Sequence, residues 1–401
     1  MSVEKAAPTS PGPSEAFVSR SLVRIAVRET LSRWGARLGL FWIGLVALSG
    51  IFAPFLASSH PIVLKQEGRW SSPMLEHLTF VDVSLVLLFF LGLFLILLRW
   101  VCARVRWWIF VMVGSGIVGI SYLTISPPTV VWLPKYRVAE ENGQVQYVLR
   151  TLVPYSPTDR FSDLREPTQN LPPGRRHWLG TTPNGEDVLS RMMHASRIAV
   201  SIGFVSTGIA FVIGVVVGAL MGYFSGVVDI IGMRLIEIFE AIPTLFLLIT
   251  LVALYGRDLY MMMVIIGLTG WTGNARFMRA EYLRLRKMDF VQAAVALGLP
   301  LRSILFRHML PNGITPVLIS ASFGVASAIL AESTLSFLGL GLIDQASWGQ
   351  MLDQARGVGT DFYWWMAVFP GGAIFLTVFA YNMIGEALRD ALDPRLLKRE
   401  A

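Results

Sequence analysis

Apolar residues gather in long runs separated by short polar or basic stretches, a pattern of bilayer-crossing helices rather than of amphipathic faces around a water-exposed domain. A spanning helix needs roughly 20 mainly apolar residues, because no water inside the hydrocarbon satisfies its backbone. Eight segments qualify, at about 38–57, 81–98, 107–126, 198–224, 232–255, 259–276, 314–332 and 366–385. The expected fold class is an all-α integral membrane protein, a polytopic helical bundle of about eight transmembrane helices.

The cations orient these spans. With the amino terminus inside, the inner segments hold Arg99, Arg104 and Arg106, then Arg276, Arg279, Arg284, Arg286, Lys287, Arg302 and Arg307, then Arg389, Arg395, Lys398 and Arg399. The short outer loops hold only Arg257 and Arg356, and the outer segment 127–197 is long enough to escape the positive-inside rule. Both termini are therefore expected in the cytoplasm. The opening MSVEKAAPTSPGPSE is too long and polar for the leading region of a signal peptide. Residues 1–37 are expected to be a cytoplasmic segment, a disordered tip followed by a basic, partly helical stretch.

Composition narrows the class further. Of 401 residues 54% are hydrophobic and 15% charged, with mean hydropathy +0.58. The net charge of +7 is small for this length and argues against a nucleic-acid partner. The single cysteine, Cys102, excludes an intrachain disulfide framework and a cysteine-cluster metal site.

One stretch between the sixth and seventh spans departs from the apolar pattern: FVQAAVALGLPLRSILFRHMLPN at 290–312. It reads as two short helices, with Asp289 capping 290–297, Gly298 in the left-handed position after the helix end, and Pro300 in the first turn of the second helix. Pro311 is expected to stop that helix at the membrane surface. Ala293 and Ala294 offer a helix face without bulk, and Val291, Leu297 and Leu301 put apolar side chains where water is expected. A partner groove suits them. The other reading is an interfacial hairpin lying on lipid, its arginines meeting acidic headgroups.

Several other features each carry two readings. Val188, Leu189, Met192 and Met193 share one face of a possible helix at 186–197, which either lies flat and gates entry or packs on neighbouring spans. Arg234, with Glu237 and Glu240, sits at the inner end of the fifth span, spaced for an Arg234–Glu237 pair. Gly214, Gly218 and Gly222 have the spacing of close helix packing. A membrane enzyme would draw on His177, His194, Asp353 and Asp361, but no H-E-x-x-H or nucleophile elbow accompanies them. An ion-coupled carrier would want ionisable groups in mid-span, and the interiors of 38–57, 198–224, 314–332 and 366–385 have none.

QAAVALG followed by LPLRSILFRHMLPN resembles the loop of the ABC importer permeases: E-A-A, three residues, G, nine residues, I-x-L-P. The H-x-L-P-N ending is similar to the dipeptide and oligopeptide branch. HWLGTTPNGEDVLSRMMHASRIAVSIG at 177–203, AESTLSFLGLG at 331–341, SWGQML at 347–352 and LRDALDPRL at 388–396 resemble further segments of that branch. Departures from its pattern are Gln292 for glutamate, Thr182 for aspartate and Glu186 for arginine.

The resemblance implies a six-helix permease core to which this chain adds an inserted pair. The domains would be the cytoplasmic segment 1–37, a first transmembrane helix 38–57, an insertion 58–176 with two extra spans and an outer loop, and the core 177–401 with a cytoplasmic coupling loop at about 277–313. Asp289, Val291, Gln292, Ala293, Ala294, Gly298, Arg302, His308, Leu310 and Pro311 would form the ATPase-coupling loop. The implied function is the permease subunit of an ATP-driven importer in the bacterial inner membrane, for peptides, with nickel, glutathione or another small solute as alternatives. Implied partners are two ATPase subunits, a second permease subunit in a heterodimer, and an external solute-binding protein. None of the five lysines follows a glycine, so there is no phosphate cradle. ATP and Mg are expected on the partner ATPase subunits, with no cofactor on this chain.

Overall fold

The computed structural model describes residues 28–66, 68–98, 100–126, 136, 139–140, 142–159, 168–342, 345–357 and 361–392. The proposed disordered tip and the end of the LRDALDPRL segment from residue 393 onward lie outside the described residues. Helix α1 (Trp34–Ile51) leads into two antiparallel strands, β1 (Val63–Gln66) and β2 (Arg69–Ser71). Helices α2 (Phe80–Leu97) and α3 (Ala103–Thr124) follow, and then β3 (Val145–Leu149), which returns to pair antiparallel with β1. The order β2-β1-β3 makes a small three-stranded sheet beside an otherwise helical membrane protein of the expected class. Its strands are only three to five residues long, too short to stand out beside the spans.

Helix α4 (Val188–Phe224) is the spine of the core. Its 37 residues span about 55 Å at 1.5 Å each, well beyond a hydrocarbon core of ~30 Å. The expected separate helix at 186–197 is therefore its first turns, and Val188 and Met192 pack into the core beside Met351 and Met366. The packing reading of that stripe holds. Glycines on α4 let another helix approach: a Cβ at Gly214 or Gly222 would come within 2.5 Å of the Cβ of Asn274 or Tyr282.

The expected span 232–255 is two helices, α5 (Gly226–Ala241) and α6 (Thr244–Tyr255), bent by 83° at Ile242 and Pro243. Proline supplies no N–H to the helix ladder, and the chain turns there. The expected span 259–276 is likewise divided, into α7 (Leu259–Thr269) and α8 (Trp271–Leu285), at Gly270. Then come α9 (Asp289–Ala296), α10 (Thr315–Leu335), α11 (Trp348–Gln354) and α12 (Trp364–Ala391). Six described helices are long and apolar enough to cross a membrane, or seven if the bent pair counts as one span, against the eight expected.

The bundle has two distinct ends. The segment after β3 meets the end of the α1 segment, Ser58 N donating to the Val153 carbonyl at 3.1 Å, and His194 near the start of α4 reaches the Ala57 carbonyl at 3.0 Å. At the opposite end, Arg33 before α1 pairs with Asp390 near the end of α12. The hairpin after α8 lies at this second end.

Candidate coupling hairpin

The hairpin is built outward from α8. After Leu285 the chain turns through Met288, whose N–H bonds the Leu285 carbonyl at 2.9 Å, and α9 starts at Asp289. Asp289 was expected to cap this helix, but it stands inside the first turn and Met288 occupies the cap without a side-chain bond. The Gln292 amide instead fastens the turn, donating to the Arg286 carbonyl at 2.8 Å. Gly298 ends the arm with φ +69°, a backbone region that favours glycine, and Leu299 N returns to the Ala294 carbonyl at 3.2 Å.

The second arm contains a π-helical turn, Ser303–Met309, continued by the short helix Leu310–Gly313. Pro311 does not stop it. It lies just past the π turn in a helix that runs on to Gly313, where the Leu310 N–H still bonds the Leu305 carbonyl. Asn312 Nδ2 donates to the His308 carbonyl at 2.7 Å.

The underside of the hairpin is apolar and locked. Val291 is 1% exposed and Ala294 4%, and both pack with Ile304, Leu305 and Met309 against Met278, Tyr282 and Leu285 of α8. The Tyr282 hydroxyl donates to the Leu305 carbonyl at 2.8 Å, and burial pushes this phenol up to about 12, so it remains a donor at any physiological pH. Arg286 Nη1 donates to the Tyr223 carbonyl at 3.1 Å and to Ser225 Oγ at 2.5 Å, fixing the hairpin to the end of α4. Arg279 grips both carboxylate oxygens of Asp229 in α5.

Two of the expected residues therefore point the wrong way for a partner. Val291 and Ala294 face the chain's own core, because the helical period that turns Ala293 outward turns Ala294 inward. The outer surface presents Asp289, Gln292, Ala293, Gly298, Arg302 and Pro311, with His308 and Leu310 half-buried at its edge. It also carries Val295, Leu301 and, at 79% exposure, Leu297.

Residues 214–398 match the family described as binding-protein-dependent transport system inner membrane component. The chain is 39% identical to the dipeptide transport system permease protein DppC of Bacillus subtilis over 229 residues, 57% of this chain and 72% of that protein. It is equally identical to the oligopeptide transport system permease protein OppC of Haemophilus influenzae over 220 residues, 55% and 70% of the two chains. A putative peptide permease protein of Brucella suis matches at 39% over 245 residues, 61% and 80%. The chain belongs to the family of binding-protein-dependent transport system inner membrane components. It is a multi-pass membrane subunit of a transport system.

At the sheet end, this permease holds a buried polar network that includes two of the departures from the branch pattern, Thr182 and Glu186. Thr182 Oγ1 donates to Glu186 Oε2 at 3.1 Å, and Glu186 takes Arg191 Nη1 at 2.5 Å. Arg191 Nη2 also bonds Gln350 Oε1 on α11 at 2.9 Å, and Ser347 Oγ caps that helix by accepting from Gln350 N at 3.1 Å. Glu332 of α10, fully buried, accepts from Ser336 Oγ at 2.7 Å. Sequence reading missed Gln350 and Glu332 as network members, although both lie in the SWGQML and AESTLSFLGLG segments.

Three of the residues that a membrane enzyme would draw on are each held by a local partner. His177 Nδ1 is 2.8 Å from Asp187 Oδ2, His194 bonds the Ala57 carbonyl, and Asp353 pairs with Arg356. Arg234 pairs with Glu237 as the spacing suggested, and Glu240 with Arg276.

Proposed function

We propose that the chain is the permease subunit of an ATP-driven peptide importer, paired with a second permease subunit, served by two cytoplasmic ATPase subunits and supplied by an external solute-binding protein. The substrate class follows from the relatives, which are dipeptide, oligopeptide and peptide permeases by name. The hairpin end, where Arg33 pairs with Asp390, is cytoplasmic in this reading, since the short basic loops gather there. ATP and Mg act on the ATPase subunits, and this chain only transmits their motion.

The observation that carries the coupling role is the contrast between the two faces of the hairpin. Its underside is bound to α8 and α4, so a push on the hairpin moves the spans, while Val295, Leu297 and Leu301 leave apolar surface bare on the far side. Bare apolar surface on a rigid element suits a partner's groove. Leu297→Asp tests this: co-purification of the ATPase subunits and ATP-dependent uptake should both fall, with insertion of the permease unchanged. Full assembly and uptake in Leu297→Asp, together with loss of function on neutralising Arg302 and Arg307, would assign the hairpin to the lipid surface instead.

A further inference from the structure

The tip where α2 turns into α3 carries cations that no carboxylate among the described residues neutralises. Arg104 and Arg106 lie near the start of α3, and the sequence has no Asp or Glu between Asp82 and Glu140. Arg106 Nη1 donates to the Leu95 carbonyl at 3.3 Å, which ties the start of α3 to the end of α2. Arg104 is exposed and has no hydrogen-bond or ion-pair partner among the described residues. Arginines on the core helices differ: Arg197 has Asp82, Arg276 has Glu240 and Arg279 has Asp229.

The neighbours of these cations set their depth. Trp100 is 98% exposed, Trp107 64% and Trp108 59%. Arg104, Trp107 and Trp108 share one face of α3 at i,i+3 and i,i+4 spacing, and exposed Val111 and Met112 continue that face one turn further. Cation, indole and aliphatic side chain thus follow one another toward the middle of the span, the order of headgroup, interface and hydrocarbon. The helical rise from Asp82, held at the sheet end by Arg197, to Leu97 is about 22 Å, so the tip lies at the opposite end of the bundle.

We infer that the tip between α2 and α3 is a docking site for an anionic phospholipid headgroup. The phosphate meets the Arg104 and Arg106 guanidinium groups, whose planar N–H forks suit its oxygens. The glycerol region lies among the indoles, and an acyl chain follows Val111 and Met112. An acidic protein segment would also match the arginines, but it would make no use of the indoles and aliphatic steps below them. Little of α2 or α3 is covered by the rest of the chain, so this face is free to meet lipid. The site goes beyond the importer reading and stands whatever the cargo.

The test places the full-length permease in nanodiscs with a bimane on Cys102, the chain's single cysteine, exposed in the same tip. Phosphatidylglycerol or phosphatidylcholine with a nitroxide high on one acyl chain is supplied at equal mole fraction, and quenching reads which lipid sits beside the label. One basic residue beside an anionic lipid surface is worth about fivefold in occupancy. Phosphatidylglycerol should therefore be preferred at least about fivefold, Arg104→Gln should lose about fivefold, and Arg104→Lys, which keeps the charge, should restore most of it. Because Arg104 is exposed, neither change disturbs the fold. Equal quenching by the two lipids, an undiminished preference in Arg104→Gln, or a label shielded from both lipids by a second copy of the chain would each overturn the proposal. Loss of the preference in millimolar glycerol phosphate would make this a site for soluble anions and would overturn it too.

Discussion

Replacing Ala294 by tryptophan drives an indole into a space already filled by Val291, Ile304, Leu305 and Met309. Overpacking of this kind costs typically about 1–3 kcal/mol. The same change one residue earlier, at exposed Ala293, belongs with surface substitutions, which usually stay within about 0.5 kcal/mol. The two neighbours therefore separate two effects that sequence alone joins. Ala294→Trp should loosen the hairpin in the isolated permease, and Ala293→Trp should leave the isolated permease alone and disturb only ATPase docking. Limited trypsin digestion reads the first effect, because Arg302 and Arg307 lie in the arm that would open. A penalty of about 2 kcal/mol raises the open population roughly 30-fold, and cleavage in the fast-closing regime rises by the same factor. Co-purification of the ATPase subunits reads the second effect. Equal cleavage rates in the two variants would refute the inward placement of Ala294, and full ATPase recovery in Ala293→Trp would refute docking on the outer face.

Three further expectations follow from separate parts of the chain. Glu186→Gln removes the carboxylate that matches buried Arg191 and should cost about 3–5 kcal/mol, read as a fall in Tm, whereas an unchanged Tm would mean that Gln350 and the backbone carry Arg191 alone. His60, stacked on His77 at 3.9 Å, is lowered from 6.5 to about 4, first by burial and then by the neighbouring His77 charge. The unfolded chain therefore binds more protons in that window, so the contribution is complete above about pH 6.5 and lost as pH falls toward 4. The protection factor of the β1 amides, exchange divided into its intrinsic rate at each pH, should fall on acidification across this range, and His60→Phe should flatten that profile. Cys102, exposed in the tight loop between α2 and α3, should resist a membrane-impermeant thiol reagent in intact cells and react in inside-out vesicles; labelling from outside would reverse the orientation.

Most of the spans were legible because hydrocarbon imposes length and apolarity on any helix that crosses it. The expected 81–98 and 107–126 lie close to Phe80–Leu97 and Ala103–Thr124. What hydropathy cannot register is direction. The 83° bend at Ile242 and Pro243 passes through apolar residues, so 232–255 looked like one straight span, with the proline as the only mark of the turn. Continuity runs the opposite way at 186–197: the apolar stripe there reads as a possible helix ahead of the 198–224 span, yet both belong to α4, with Arg191 buried in the Glu186 and Gln350 network. In the hairpin, the left-handed Gly298 was readable from glycine after a helix end. The phase of α9 was not, since Ala293 and Ala294 are identical side chains and only packing against Tyr282 and Leu305 decides which one faces in.

The expected insertion of α2 and α3 would add two spans without disturbing the rest. Strands β1 and β3 flank α2 and α3 in sequence and pair with each other, Lys65 opposite Tyr147, so the excursion leaves and re-enters the core at one place. The bridge of Ala57 to Val153 closes it. An even number of spans keeps every later segment on its own side, and the entropy of closing a longer loop grows only slowly with length. Little of α2 and α3 is buried by the rest of the chain, 17% and 11% of their apolar windows. One contact nevertheless ties the insertion to the core's electrostatics. Asp82, held in the first turn of α2 by a capping box with Thr79, accepts Arg197 Nη1 of α4 at 2.7 Å. The remaining bonds of Arg197 go to the Gly50 carbonyl, at 3.2 and 3.3 Å. A carbonyl carries only a dipole, so the only carboxylate paired with this core cation among the described residues comes from the inserted helix. Parity and the closed sheet make the added pair topologically separable, but Asp82 makes it an energetic part of the core.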